Sequence, residues 1–118
     1  MSFKQDNLIQ IKTFEFALEI IRFYLECKAQ NEYVLSKQIL RSGTSIGANV
    51  EEAIAAQSKK DFISKLSIAN KDARETKYWL RLYHSSNLVE INMESYLKEI
   101  ETIINILTKI IKTSSENL

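Results

Sequence analysis

YLKEIETIINILTKII, Tyr96 to Ile111, is the stretch on which the fold turns. Its isoleucines are β-branched, and by propensity alone they favour a strand. Their positions do not. Tyr96, Ile100, Ile103, Ile104, Leu107, Ile110 and Ile111 recur at steps of three and four, which gathers them on one face of a helix but would scatter them over both faces of a strand. That spacing, held over about four turns, outweighs the intrinsic preference. With Asn92 as the capping residue ahead of it, a helix is predicted over about 93–113.

Outward from this segment, the chain contains no proline and two glycines, too little turn chemistry for a succession of short strands. Three more helices are expected. Over about 8–28, Ile11, Phe14, Leu18, Ile21 and Leu25 line one face and are assigned to the core. Over about 34–57 the inward face is Leu35, Ile39, Ile46, Val50 and Ala53. Gly43 and Gly47 lie one turn apart in that helix. Since a mid-helix glycine costs about 1 kcal/mol against alanine, they are read as sites of close helix packing. Over about 59–83 the stripe is Phe62, Leu66, Ala69, Ala73, Leu80 and Tyr83, with Ser58 as N-cap and Asp61 in the first turn. Short connections make sequential helices antiparallel neighbours, so the predicted fold is all-α, an antiparallel up-and-down four-helix bundle forming one domain across residues 1–118.

The 45% hydrophobic and 26% charged fractions fit a globular protein, and no apolar run approaches the roughly 18 residues of a membrane span. The N-terminus, MSFKQDNLIQIKTF, mixes charges with apolar residues and has no signal-peptide core; a cytoplasmic location is expected. Cys27 is the single cysteine, leaving no disulfide and no CxxC metal knuckle. His84 is the single histidine and sits at the predicted end of the third helix, where a cation is favourable. Neither residue belongs to a ligand cluster, so no metal, no cofactor and no catalytic residue is assigned. Adjacent Glu51 and Glu52 point about 100° apart, which suits a solvated pair, or salt bridges to Arg41 or a neighbouring subunit, better than acid–base chemistry. No strand precedes the two glycines and no Walker lysine follows them, so there is no phosphate loop.

Two surfaces carry functional information. Projection of the third helix separates its charges by sign: Lys59, Lys60, Lys71, Arg74, Lys77 and Arg81 share one third of the circumference, with Tyr78 among them, while Asp61, Asp72 and Glu75 fall elsewhere. In a chain of net charge +1 this is a concentrated basic arc, read as a nucleic-acid-binding face on which the Tyr78 ring can stack on a base. The alternative is a solvated face with no such role. The first helix carries a second apolar stripe, Ile9, Phe16, Ile20, Phe23 and Cys27, about 170° from the first. A monomeric bundle buries one face per helix, so Ile9, Phe16, Ile20 and Phe23 are assigned to an oligomer interface; the alternative is that the N-terminal segment or an asymmetric bundle covers them.

The segments RSGTSIGANVEEA (Arg41–Ala53) and SKKDFISKLSIANKDARETKYWLRL (Ser58–Leu82) closely resemble the four-helix-bundle family related to the 23S rRNA intervening-sequence protein. The outer helices match by pattern. Where many relatives carry proline, this chain has Gly47, and positions 51–53 read Glu-Glu-Ala in place of Ala-Glu-Gly. The resemblance implies a bacterial, non-enzymatic protein that assembles into a closed ring, commonly a homopentamer. It also implies possible partners: RNA or DNA, and a reverse transcriptase or other protein, as for the similar accessory protein of diversity-generating retroelements. The functional expectation is therefore an oligomeric accessory protein binding structured RNA or an RNA–protein complex through its basic helix face. The competing expectation is a protein–protein assembly scaffold.

Overall fold

A computed structural model describes residues 3–117, with side chains from Leu8 to Asn117. Four helices account for nearly all of it: α1, Phe3–Ala29; α2, Leu35–Ile54; α3, Lys59–Ser86; and α4, Glu94–Glu116. The Ile-rich segment is helical, as its spacing requires, and buries Ile100, Ile103, Ile104, Leu107 and Ile110.

The helix ends follow from local chemistry. Ser58 is extended and its hydroxyl accepts from the Asp61 amide at 3.0 Å, the cap expected from sequence. Asn92 Oδ1 accepts from the Glu94 amide at 3.0 Å. The start of α2 is capped from outside the helix, because the Glu32 carboxylate accepts from the amides of Val34, Leu35 and Ser36 at 2.9, 2.9 and 3.1 Å. Without proline or a turn glycine, left-handed backbone falls to asparagine: Asn31 and Asn87 have φ of 65° and 52°, and Asn87 ends α3.

Cross-helix pairs fix the topology. Between α1 and α2, Gln10 bonds Glu51 while Ile20 packs on Gly43. Between α2 and α3, Ser42 meets Thr76 while Asn49 meets Asp72. Between α3 and α4, Asn70 meets Thr108 while Lys77 meets Glu101. In each case residue numbers rise on one helix as they fall on the other, so all neighbours are antiparallel. α1 completes the circuit against α4 through Lys12–Glu99 at 3.3 Å. The resulting rod measures 47 × 20 × 19 Å, with α1 diagonal to α3 across the core.

One expectation is inverted. Ile9, Phe16, Ile20, Phe23 and Cys27 are at most 1% exposed and form the inward face of α1, so the first four are core residues and not an oligomer interface. The stripe assigned to the core, Ile11, Phe14, Leu18, Ile21 and Leu25, faces out. Shape decides between two faces of similar hydrophobicity. A Cβ added at Gly43 would stand 3.1 Å from Ile20, and one added at Gly47 would stand 3.3 Å from the Thr13 carbonyl oxygen. The two glycines thus form a shallow channel that receives the Thr13 and Ile20 side of α1. Thr13 is buried there at little cost because its hydroxyl bonds the Ile9 carbonyl at 2.8 Å.

Candidate nucleic-acid interface

The charge pattern of α3 has a structural origin on one side only. Asp72 and Glu75 face α2, where Asn49 Nδ2 donates to Asp72 at 2.9 Å and Arg41 pairs with Glu75. Glu75 also accepts from the Trp79 indole at 3.0 Å, and that bond leads burial and the Arg41 guanidinium in setting its carboxyl, which ends below the usual value. Burial pushes the Asp72 carboxyl up, against the lowering bond from Asn49. Beneath these pairs, Thr76 donates to the buried Ser42 hydroxyl at 2.8 Å. Arg41 and Ser42, the head of the small-residue segment, therefore engage Glu75 and Thr76, the head of the Glu-Thr-Lys-Tyr-Trp run. The conspicuous motif pair is a helix-to-helix clamp, and it engages two of the three acids of α3, leaving Asp61 exposed in the first turn.

The basic residues lie on the side this clamp leaves free. Lys60, Lys71, Arg74 and Arg81 are exposed, and none has an ion-pair partner among the described residues. Lys77 is drawn toward α4 by Glu101 at 2.7 Å, and the Lys59 ammonium donates to the Asn117 carbonyl at 3.1 Å. The expected arc is thus divided into four free cations on the outer ridge and two engaged at its α4 edge. Tyr78 stands on the ridge between Arg74 and Arg81, 57% exposed.

A further cation escapes a reading of α3 alone. Lys112 is exposed one turn beyond Thr108, the residue that meets Asn70, so it extends the positive face level with the interval between Lys60 and Lys71 where the α3 ridge carries no charge. Its signal in the sequence depends on the α3–α4 register, which a single-helix projection does not contain.

Glu51 and Glu52 are not partners of Arg41. Glu51 accepts from Gln10 at 2.9 Å, and Glu52 pairs with Lys65 at 3.4 Å. His84 lies in the last turn of α3 and is exposed. Burial pushes the Cys27 thiol up to about 11, so it is a packing group and a poor nucleophile. Among the described residues no group of three or more His, Cys, Asp or Glu side chains converges to hold a metal, and no helix is long and apolar enough to cross a membrane.

Diagonally opposite the basic ridge, α1 presents Leu8, Ile11, Phe14, Leu18, Ile21 and Leu25, each 41–62% exposed. Six large apolar side chains recurring over about 25 Å of one helix form a patch of the kind that marks an interaction surface. Phe14 overhangs a depression of about 240 Å³ floored by Thr44, Gly47 and Ala48 of α2, so the patch extends onto the neighbouring helix. Between α1 and α4 lies a groove of about 540 Å³ whose lining alternates Lys12 and Arg22 with Glu15, Glu19 and Glu99, a mixture with no net preference for anions.

The sequence model of the 23S rRNA-intervening sequence protein family matches residues 5–109. Among solved structures, the chain is similar to a protein of unknown function from the S23 ribosomal protein family of Bacteroides thetaiotaomicron. The two share 47% identity and superpose with a TM-score of 0.86, covering 92% of this chain and 98% of the other. No curated protein matches the sequence.

Proposed function

This chain belongs to the 23S rRNA-intervening sequence protein family, and from that premise we propose that it is a non-enzymatic, oligomeric accessory protein that binds nucleic acid, in structured RNA or an RNA–protein complex, through the outer face of α3. The observation that carries the reading is the division of the surface: four unpaired cations along α3, whose acids beyond the first turn are engaged with α2, exposed apolar side chains on α1, and the bundle between them. Acids needed for α2–α3 packing face inward along the seam, and the cations that packing does not need face out. Association through α1 leaves every α3 ridge accessible. One ridge of four cations meets few phosphates and binds weakly, whereas a ring of copies, five in the form the resemblance implies, repeats the ridge and gains avidity on a long strand.

The test is an RNA-binding titration at rising salt. Affinity is expected to fall steeply between about 50 and 200 mM monovalent salt, as counterion release requires. The double variant Arg74→Glu with Arg81→Glu is expected to lose binding while keeping wild-type helicity and particle mass. Failure of the wild-type protein to bind RNA or DNA at low salt would leave the protein-assembly scaffold as the function, a reading that the exposed α1 stripe supports independently.

A further inference from the structure

We infer that the ligand of the α3 ridge is an unpaired strand, with one base stacked on Tyr78 and the flanking phosphates held by Arg74 and Arg81. The inference rests on the nucleic-acid reading and adds the class of nucleic acid. Tyr78 is a large aromatic ring presented to solvent on a helix that already has a complete inward stripe, and packing does not account for it. Its ring is nevertheless held. It stands edge-to-face on Trp79, with centroids 5.3 Å apart and planes at 68°. Trp79 is in turn fixed by its indole bond to Glu75 at 3.0 Å, and Glu75 by Arg41 of α2. The clamp between α2 and α3 therefore steadies the ring against which Tyr78 rests, while more than half of Tyr78 stays open to solvent.

The surroundings match a nucleotide strand. Arg74 is one turn before Tyr78 and Arg81 is one turn after, both exposed on the same ridge, so positive charge flanks the ring along the helix axis. A base with phosphates on either side is the ligand for which an aromatic between two guanidinium groups is complementary. A duplex makes poor use of this arrangement. Its base faces are covered by stacking, and an A-form helix offers the protein phosphates, 2′-hydroxyls and shallow base edges. In a structured RNA the matching elements are loops, bulges and ends.

Trp79 is the only tryptophan of the chain and touches the proposed platform, so its emission reports on occupancy of Tyr78. The experiment compares wild type, Tyr78→Ala and Tyr78→Phe with an unstructured pyrimidine-repeat RNA strand and with the same strand annealed to its complement. Fluorescence anisotropy of the labelled RNA and Trp79 emission are read at one fixed low salt concentration. Wild type is expected to prefer the single strand and to change its Trp79 emission on binding it. Tyr78→Ala is expected to weaken single-strand binding about ten-fold while leaving duplex binding and its salt dependence unchanged; Tyr78→Phe, which keeps the ring, should bind as wild type. Equal losses on both RNAs, or no loss on either, would overturn the stacking proposal while the nucleic-acid reading survives on the wild-type binding. Binding of neither RNA by the wild type would overturn the stacking proposal, and failure to bind the corresponding DNA strands as well would overturn both.

Discussion

Glu32 shows how a residue outside every helix decides whether one of them starts well. α2 opens with no side-chain cap of its own, and its first free amides would be left to solvent. The carboxylate of Glu32 takes three of them. Burial pulls its carboxyl upward, but the bonds from the Leu35, Ser36 and Val34 amides and the Ser36 side chain outweigh that and hold it below the ordinary 4.5. Because the folded value is depressed, the stabilisation is complete above the unfolded pKa and is lost as pH falls through the folded one. Glu32→Ala is expected to cost about 0.5–2 kcal/mol at neutral pH in urea unfolding. That difference from wild type should narrow below pH 4.5 as the wild-type carboxylate takes up its proton. A difference that stayed constant into strong acid would show that the cap is not the source. Nothing in the sequence around position 32 marks it as a cap, since the expected signature places a short polar residue directly at the helix boundary. Ser58, which obeys that signature, was legible.

For whole elements, periodicity was a good guide to where helices run and an incomplete one to which way they face. The expected spans 34–57, 59–83 and 93–113 differ from α2, α3 and α4 by three residues or fewer at each end. Each of those helices has one dominant apolar stripe, and each buries it. α1 has two, five residues in each, so periodicity alone does not say which of them is buried. The deciding term lies in the partner helix, whose glycines admit Thr13 and Ile20 at a separation that a larger residue would prevent. Replacing Gly43 or Gly47 by Leu is accordingly expected to destabilise the bundle by about 1–3 kcal/mol through overpacking, measured by thermal or urea unfolding. An unchanged melting temperature would show that α1 can move away from α2 without loss. The paired motifs have the same logic: Arg41 and Ser42 are far from Glu75 and Thr76 along the chain, and only the antiparallel register joins them.

Viewed whole, the molecule has two unlike outer faces on diagonal helices, and the inverted orientation of α1 changes which residues the proposed assembly would use without changing the reason for proposing it. Burying Ile9, Phe16, Ile20 and Phe23 satisfies the core and leaves Leu8, Ile11, Phe14, Leu18, Ile21 and Leu25 in water. An apolar ridge of this length on a small bundle carries a solvation cost that association removes. The two stripes now make separable predictions. A charge on the outer one, Phe14→Glu with Leu18→Glu, is expected to reduce the particle mass in light scattering from several times 13.7 kDa toward that of one chain, with helicity and unfolding midpoint changed little beyond the loss of assembly. A charge on the inner one, Phe16→Glu, is expected to unfold the bundle, since Phe16 is 1% exposed and a lone buried carboxylate has no partner there. The dispersed outer-face variant keeps all four free cations of α3 but loses their repetition, so its affinity for a long RNA strand should fall while its affinity for a short one stays near that of wild type. Light scattering that shows a monomeric wild type would refute assembly through α1. An outer-face variant that disperses yet binds long RNA as tightly as wild type would separate assembly from binding and leave the α3 ridge to act alone.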